Sequence, residues 1–547
     1  MTKTGWGLKY APGEPRSRVA SGEWTNKTIA DYAAETQKRD AGTIVILSDD
    51  KTYTIADLME QALTLARGLQ AFGVRPGDTV SFQLPNWIEA AVLNLACALG
   101  GFIVNPIVPI YRHAELRFIL NDAKAKITFI PQVYRGVDYP AMHAALKQHL
   151  TAMQHIFVVR GDASGASTYE AVMQAGAAST ELQSSVEPNS IKQVVYTSGT
   201  TGPAKGVLYT HNQARRVLAN SFEAWGLKPG ARLLVGTPVT HVSGFSYGLD
   251  MPFYVGTQTV LMEKWVPDLA VELVDRHAVS IMVGATPFLA DLVASAERLG
   301  SRLPSLDIFF CGGAAVPPGL VRRANEAFEN CRTFRVFGSS ECPMITQGCP
   351  ENPELSATTD GRVYGYDVKV VDDDGRVLPP DSDGELLARG PAMFRGYTDP
   401  EATREAFDDE GFFRTGDIGR VSKAGVLTVT GRKKDLIIRG GENISAKEIE
   451  DALHAHPDIK EAAVVAMPHA RLGEGVCAFV VAQSDRKLSR PQIDAYLKDW
   501  GLAPQKWPEL LRFVSDLPRT ASGKIQKHLL RMEIADFVAE SKAVATS

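Results

Sequence analysis

Residues 196–207 read YTSGTTGPAKGV and directly follow the apolar pair Val194 and Val195. A buried run that empties at once into glycines and hydroxyls constrains the chain strongly. It reads either as a strand with a ligand loop at its C-terminal end, as open α/β sheets place their ligands, or as a strand ending in a solvated Gly/Ser/Thr turn, and distant segments decide between the two. The same transition recurs in IFFCGGAAVP at 308–317 and in FRVFGSSECPM at 334–344. The 196–207 loop holds four Ser and Thr hydroxyls, three glycines and Lys205. Glycines let backbone N–H groups turn inward, and the hydroxyls and the ammonium add donors and charge, so the composition suits a phosphate chain. It is not a Walker loop, because that motif requires GxxxxGK[ST], whereas Lys205 lies three positions after Gly202 and precedes Gly206.

At 547 residues the chain is too long for one core and predicts roughly three or four structural units. A net charge of −5 gives no electrostatic case for nucleic acid. Six scattered cysteines without a CxxC pattern, and an N-terminus with no apolar leader, predict a cytoplasmic protein without a zinc site or disulfide framework. Residues 90–111 contain no charge, but Asn94, Gly100, Gly101, Asn105, Pro106 and Pro109 interrupt them. The pattern predicts a buried helix ending at the glycines and then a buried strand, with no membrane span.

In chain order, residues 1 to about 30 read as an irregular arm. Thr54 and Asp57 form a capping-box start to a helix whose Leu58, Ala62, Leu65 and Leu69 share one face, and Gly73 closes it. Helices at 88–99, 114–122 and 212–224 alternate with strands near 103, 127–130 and 233–237. Residues 161–190, rich in Ala, Ser, Gly and Gln, read as a surface passage. Beyond Glu351, short strands and frequent turns predict a small β subdomain. GRKKDLIIRGGENISAKEIEDAL then introduces a strand, a turn at Gly440 and Gly441, and a helix with Ser445 and Glu448 as a capping box. The fold class is therefore α/β, with a large multi-layer N-terminal domain that includes a β subdomain and a smaller, mobile α+β C-terminal domain.

Several residues suit defined chemistry. Phe337 offers a flat face to a purine, Gly312 and Gly313 permit close backbone approach, and Glu341 is a hard oxygen ligand for Mg²⁺. Asp417 suits a diol, or is a turn aspartate. His241 is either a satisfied core histidine or, with the small and apolar Val242, Ser243, Gly244 and Phe245 beside it, one wall of an organic-acid pocket. Lys524 sits in a Gly/Ser/Thr turn from which a lysine could reach an anionic reaction centre.

YTSGTTGPAKGV, GGAAVP, FGSSE, RTGD, GRKKDLIIRGGENIS and PRTASGK, in this order, resemble the motifs of the adenylate-forming superfamily. That superfamily comprises acyl-CoA synthetases, carrier-loading adenylation domains and luciferases, and the resemblance covers about residues 28 to 535. It implies two half-reactions, in which a carboxylate attacks MgATP to give acyl-AMP and pyrophosphate and a thiol then takes the acyl group. It assigns Thr197, Ser198, Gly199, Thr200, Thr201 and Lys205 to the β- and γ-phosphates, Glu341 to Mg²⁺, and Gly313, Ala314 and Phe337 to adenine. Gly338 and Ser340 complete the nucleotide motif, Asp417 and Arg432 grip the ribose, and Lys524 bridges carboxylate and α-phosphate. Phe337 and Ser340 replace the commoner tyrosine and threonine, which keeps a stacking face and a hydroxyl.

The resemblance also implies a hinge at Lys434, dividing an N-terminal domain of 1–433 from a mobile domain of 434–547, with Gly440 and Gly441 lining the coenzyme A tunnel. The expected pocket for the acid comprises His241, Gly244, Phe245, Ala315 and Met344, beside the turn of Cys342 and Pro343. The expected reaction is AMP-forming acyl-CoA synthesis from ATP, coenzyme A and a medium-chain, alicyclic or aromatic acid; loading of a carrier protein is the alternative. A homodimer is admitted, and PRTASGK fits a lysine silenced by reversible acylation.

Overall fold

Apolar strands align in parallel here because the helices between them return the chain to the same edge. The computed structural model describes residues 6, 14–48, 51–162, 167–184, 186–197, 204–314, 316–483, 488–520 and 523–546. In one seven-stranded sheet, Arg232–Val235 lies between Gln258–Leu261 and Ile281–Gly284, with Ile308–Cys311 and Arg332–Arg335 following outward, all parallel. In an eight-stranded sheet, Ile191–Thr197 runs parallel to Ile103–Pro106 and antiparallel to Lys205–Thr210. A five-stranded antiparallel sheet spans 361–432 and is the expected β subdomain. The last sheet, with Leu436–Arg439, Glu442–Ser445, Ile459–His469, Gly473–Ala482 and Leu510–Phe513, has apolar clusters of its own around Ile449, Val464 and Phe479.

The uncharged stretch at 90–111 folds as the buried helix Ile88–Gly100 and the buried strand Ile103–Pro106. Gly101 ends the helix in the left-handed conformation, at φ 72°. Asn94 is the polar exception on this helix for a reason: its amide donates to Asp250 at 2.8 Å and accepts from Lys192 at 3.1 Å. Lys192 and Asp250 form an ion pair at 2.9 Å, with side chains 2% and 0% exposed. Among the described residues no helix is long and apolar enough to cross a membrane.

Three expectations about local structure need correction. The N-terminal arm contains the helix Glu14–Ala20, on which Arg18 pairs with Glu14 one turn back and with Glu23. The passage at 161–190 contains the helix Tyr169–Ala177, packed against Ile55–Ala71. Its glycine serves contact rather than flexibility: a Cβ on Gly176 would fall 1.8 Å from the Thr64 carbonyl oxygen, and one on Gly68 2.0 Å from that of Val172. Ser445 does cap its helix, accepting from the Glu448 N–H, but the Glu448 carboxylate binds Lys506 at 2.7 Å instead of completing a capping box.

Buried histidines make the fold acid-sensitive. Burial pushes His143 down to about 4, and burial with the Lys192 charge pushes His211 down to about 3. The unfolded chain, with histidines near 6.5, binds protons first as pH falls, so this contribution is complete above about 6.5 and is lost towards pH 4 and 3. The thermal unfolding midpoint should therefore drop between pH 7.5 and pH 4.5, with a combined loss on the order of a few kcal/mol. His143→Gln and His211→Gln should flatten that drop. A midpoint that stays level over this range, or an equally steep drop in both variants, would remove the histidines from the explanation.

Candidate active site

The strands that flank the glycine loop form an antiparallel stem. Thr197 pairs with Lys205 and Tyr196 with Gly206, so the antiparallel stem brings both ends of the loop together. Ser198, Gly199, Thr200 and Thr201 lie outside the described residues, as does Ala315. The Lys205 ammonium sits 4.9 Å from the centre of the Tyr397 ring. The Tyr397 hydroxyl in turn donates to the Glu341 carboxylate at 2.9 Å. Burial and that carboxylate push the Tyr397 phenol far above its ordinary range, which keeps it protonated as a donor.

The segment from Phe337 to Glu341 is fixed on both sides. The Phe337 N–H donates to the Thr346 hydroxyl at 2.7 Å, and the Thr346 N–H to the Phe337 carbonyl at 3.2 Å. The Thr346 hydroxyl donates to the backbone of Asp360, whose carboxylate grips the buried Arg335 guanidinium at 2.6 Å. Ser339 turns the chain by accepting from the N–H groups of Glu341 and Cys342, both at 3.2 Å. The chain folds so tightly here that a Cβ on Gly338 would fall 2.4 Å from the Met344 nitrogen. Met344 itself adopts φ 55°. The half-buried Phe337 ring thus has a rigid mount, and Tyr209 donates from the other side to the carbonyls of Ser340 and Glu341 at 2.8 and 3.2 Å.

Strand pairing places Asp417 opposite Arg432, and their side chains meet at 2.7 Å. The turn around Lys524 is closed by the Thr520 N–H donating to the Lys524 carbonyl at 2.8 Å, and by the Lys524 N–H donating to the Thr520 hydroxyl at 3.1 Å. It seats the lysine over the glycine turn after Ile308–Cys311: a Cβ on Gly313 would lie 3.8 Å from Lys524 Cε. Gly313 has φ 81°, a backbone conformation that favours glycine. Half-buried Ala314 follows it.

Charge ties these pieces together. Burial, joined by Arg432 and Lys434, pushes Lys524 down to about 8 against the opposing pull of Asp417 and Glu341. Burial raises Asp417 while Arg432 and Lys524 hold it down, and burial and then Arg432 lower Lys434. His241 is held at about 4 by burial and then by the Lys524 charge, and is neutral at ordinary pH. Its Nδ1 lies 3.0 Å from the Ser243 hydroxyl. Lys524, Glu341, Asp417, Arg432, Lys434 and His241 therefore share one electrostatic environment although the sequence spreads them from 241 to 524.

Gly244 is not a spacer: a Cβ there would fall 2.2 Å from the Pro238 carbonyl oxygen. Phe245 is fully buried, and its ring lies under the Lys192 ammonium at 4.6 Å. Both belong to a π-helix, Gly244–Asp250, whose last residue is the partner of Lys192. Asn220 is buried nearby, its neighbour Ser221 sharing a 2.7 Å hydrogen bond with Tyr247 of that π-helix, and neither atom of its amide has a partner. Gly440 and Gly441, at φ 61° and 92°, turn the C-terminal hairpin, and a Cβ on Gly441 would meet open space. The sequence reading did not anticipate Tyr397, Tyr209, Thr346 or Asp360; each works through a contact distant in the chain.

Residues 32–398 match the family described as AMP-binding enzyme, and residues 448–524 the family described as AMP-binding enzyme C-terminal domain. The chain belongs to the AMP-binding enzyme family. Its adenylate-forming relatives include the medium-chain fatty-acid–CoA ligase of Escherichia coli K12, 36% identical over 94% of this chain and 91% of that protein. The vibriobactin-specific 2,3-dihydroxybenzoate-AMP ligase of Vibrio cholerae is 31% identical over 93% of this chain and 94% of its own length. Among solved structures, ATP-bound MatB from Rhodopseudomonas palustris superposes with a TM-score of 0.82 at 28% identity, over 93% of this chain and 99% of that one. This AMP-binding enzyme thus has the family's mixed α/β fold with a small α+β C-terminal domain.

Proposed function

We propose that the protein condenses a carboxylic acid with ATP to give acyl-AMP and pyrophosphate, then transfers the acyl group to coenzyme A, giving acyl-CoA and AMP. The observation that carries this reading is Lys524 poised over Gly313 among Asp417, Glu341 and Arg432. A carboxylate oxygen attacks the α-phosphorus, the bond to the β-phosphate oxygen breaks, and pyrophosphate leaves. Negative charge develops on the α-phosphate oxygens, and a fixed ammonium there lowers the barrier. Lys524 takes that role. Thr197 and Lys205, with Ser198, Gly199, Thr200 and Thr201, hold the pyrophosphate portion. Phe337, Gly313 and Ala314 take the adenine beside Gly338 and Ser340, and the Asp417–Arg432 pair takes the ribose hydroxyls.

Among the described residues no three His, Cys, Asp or Glu side chains gather into a metal cluster. The Glu341 carboxylate, oriented by the Tyr397 hydroxyl, is a hard oxygen donor that would hold Mg²⁺ brought in with the nucleotide. When bound with the nucleotide, Mg²⁺ would neutralise charge on the departing phosphates.

In the second step the thiolate sulfur attacks the acyl carbonyl carbon, the bond to the adenylate oxygen breaks, and AMP leaves while the thiol proton passes to solvent. Lys434 is the hinge between 1–433 and 434–547, and rotation there withdraws Lys524 and brings the Gly440–Gly441 turn to the acyl-AMP. A cleft of about 1760 Å³ is lined by residues of both the N-terminal sheets and the C-terminal domain. The substrate is a medium-chain, alicyclic or aromatic acid, the first of these in line with the medium-chain fatty-acid–CoA ligase relative, and the setting is cytoplasmic. Similarity to a dihydroxybenzoate-AMP ligase favours one second reading, loading of a carrier-protein thiol.

Product analysis separates the two. With ATP, Mg²⁺ and a panel of acids from acetate upward, chromatography should detect an acyl-CoA from an apolar acid larger than acetate. Acylation of a phosphopantetheinyl carrier without any CoA thioester would establish the second reading, and activity confined to acetate would overturn the assignment of the acid.

A further inference from the structure

We infer that Asp122 is a positioning residue for the triphosphate end of the site, clamping both sides of the phosphate-loop stem. Asp122 ends the helix His113–Asp122, outside every motif that marks the family. One of its carboxylate oxygens, Oδ2, accepts from the Tyr196 hydroxyl at 2.6 Å and from the Thr398 hydroxyl at 2.7 Å. Both donors are buried, where a charge-assisted bond is strong and geometrically demanding.

The positions of the two donors make the contact functional. Tyr196 immediately precedes Thr197 on the strand entering the loop. Thr398 bonds the strand leaving it, its N–H donating to the Gly206 carbonyl at 2.8 Å. Gly206 lies opposite Tyr196, and a Cβ on it would fall 2.6 Å from Thr398 Cγ2 and 3.0 Å from Tyr196 Cζ. The side chains of Thr398 and Tyr196, both held by Asp122, therefore leave no room for a side chain at Gly206. The preceding residue, Tyr397, orients the Glu341 carboxylate and lies under the Lys205 ammonium. A shift of Thr398 would displace the loop stem, the metal carboxylate and the phosphate cation together, while leaving His241 and Lys524 where they are.

The inference rests on the adenylating function, and the experiment separates the two. Tyr196→Phe and Thr398→Val each delete one donor with little change of shape, and Asp122→Asn weakens the acceptor for both. Acid-dependent exchange of labelled pyrophosphate into ATP and binding of MgATP by calorimetry are measured on each full-length variant. D122N should raise KM for MgATP about tenfold or more, with the single-donor variants shifted less in the same direction. The KM for the acid should stay within about twofold, and thioester formation from supplied acyl-AMP and coenzyme A should be unchanged. An unaltered KM and affinity for MgATP in all variants would overturn the inference, as would equal losses in both half-reactions, which mark a merely structural role. If the wild type binds MgATP but exchanges no pyrophosphate with any acid, the functional reading fails, and the affinity of D122N alone still decides on the clamp. If D122N does not fold, Y196F and T398V carry the same test.

Discussion

Lys524→Ala should abolish acyl-AMP formation while leaving thioester formation from supplied acyl-AMP and coenzyme A intact. Removing a single preorganised donor to a developing oxyanion costs about 10²–10³ in rate, and Lys524 contributes a full charge, so the loss should be at least that large. The substitution should not unfold the protein, because the lysine is held at about 8, below its ordinary value, by burial and by its cationic neighbours Arg432 and Lys434. Removing a charge so placed relieves cost rather than adding it. The same shift sets a pH signature. Lys524 is useful while protonated, so in the free enzyme kcat/KM for adenylation should fall as pH rises through about 8, and the limb should move upward in kcat once the phosphates of bound ATP favour the ammonium. Equal loss of both half-reactions in K524A would contradict the assignment.

Gly441→Leu should give the reverse pattern. The glycine has φ 92°, so a side chain there costs roughly 1–2 kcal/mol of backbone strain, but no atom lies within 4 Å of its would-be Cβ and the domain should still fold. Adenylation, which uses the Lys524 face of the C-terminal domain, should stay within about twofold of wild type. If the Gly440–Gly441 turn is the proposed entry for coenzyme A, transfer should drop by about tenfold or more with KM for coenzyme A raised, because a leucine side chain would then obstruct the thiol's path. If G441L transfers normally, the hairpin is not the thiol entry and the second half of the account fails. Opposite behaviour of K524A and G441L is what two working faces of one domain require.

Much of this was legible in the sequence, for a physical reason. Ligand loops concentrate glycine and small residues in short runs, so YTSGTTGPAKGV, GGAAVP and PRTASGK stand out without reference to their neighbours. The helix Tyr169–Ala177 did not, because its alanines and glycines resemble loop composition, and only the backbone of Thr64 and Val172 shows why they are small. The π-helix Gly244–Asp250, which seats Phe245 under Lys192, was not legible either, because no periodic pattern reveals a π-helix. Tyr397 and Asp122 carry no local signal at all. Their roles arise from a carboxylate 56 residues away in one case and a hydroxyl 276 residues away in the other.

Asn220 carries no local signal either. A buried amide with no partner is costly, and folded proteins rarely keep one without a reason. It stands beside Ser221, whose hydroxyl meets Tyr247 on the π-helix, the element on which the expected acid pocket was read.

Acid-dependent exchange of labelled pyrophosphate into ATP tests the central claim most directly, since it requires that a carboxylate reversibly displace pyrophosphate at the α-phosphorus and requires neither coenzyme A nor a carrier. The wild type should exchange with at least one apolar acid larger than acetate, should show no exchange without acid, and should lose it in K524A. A protein that binds MgATP yet exchanges no pyrophosphate with any acid, or that exchanges equally well without Lys524, would contradict the account.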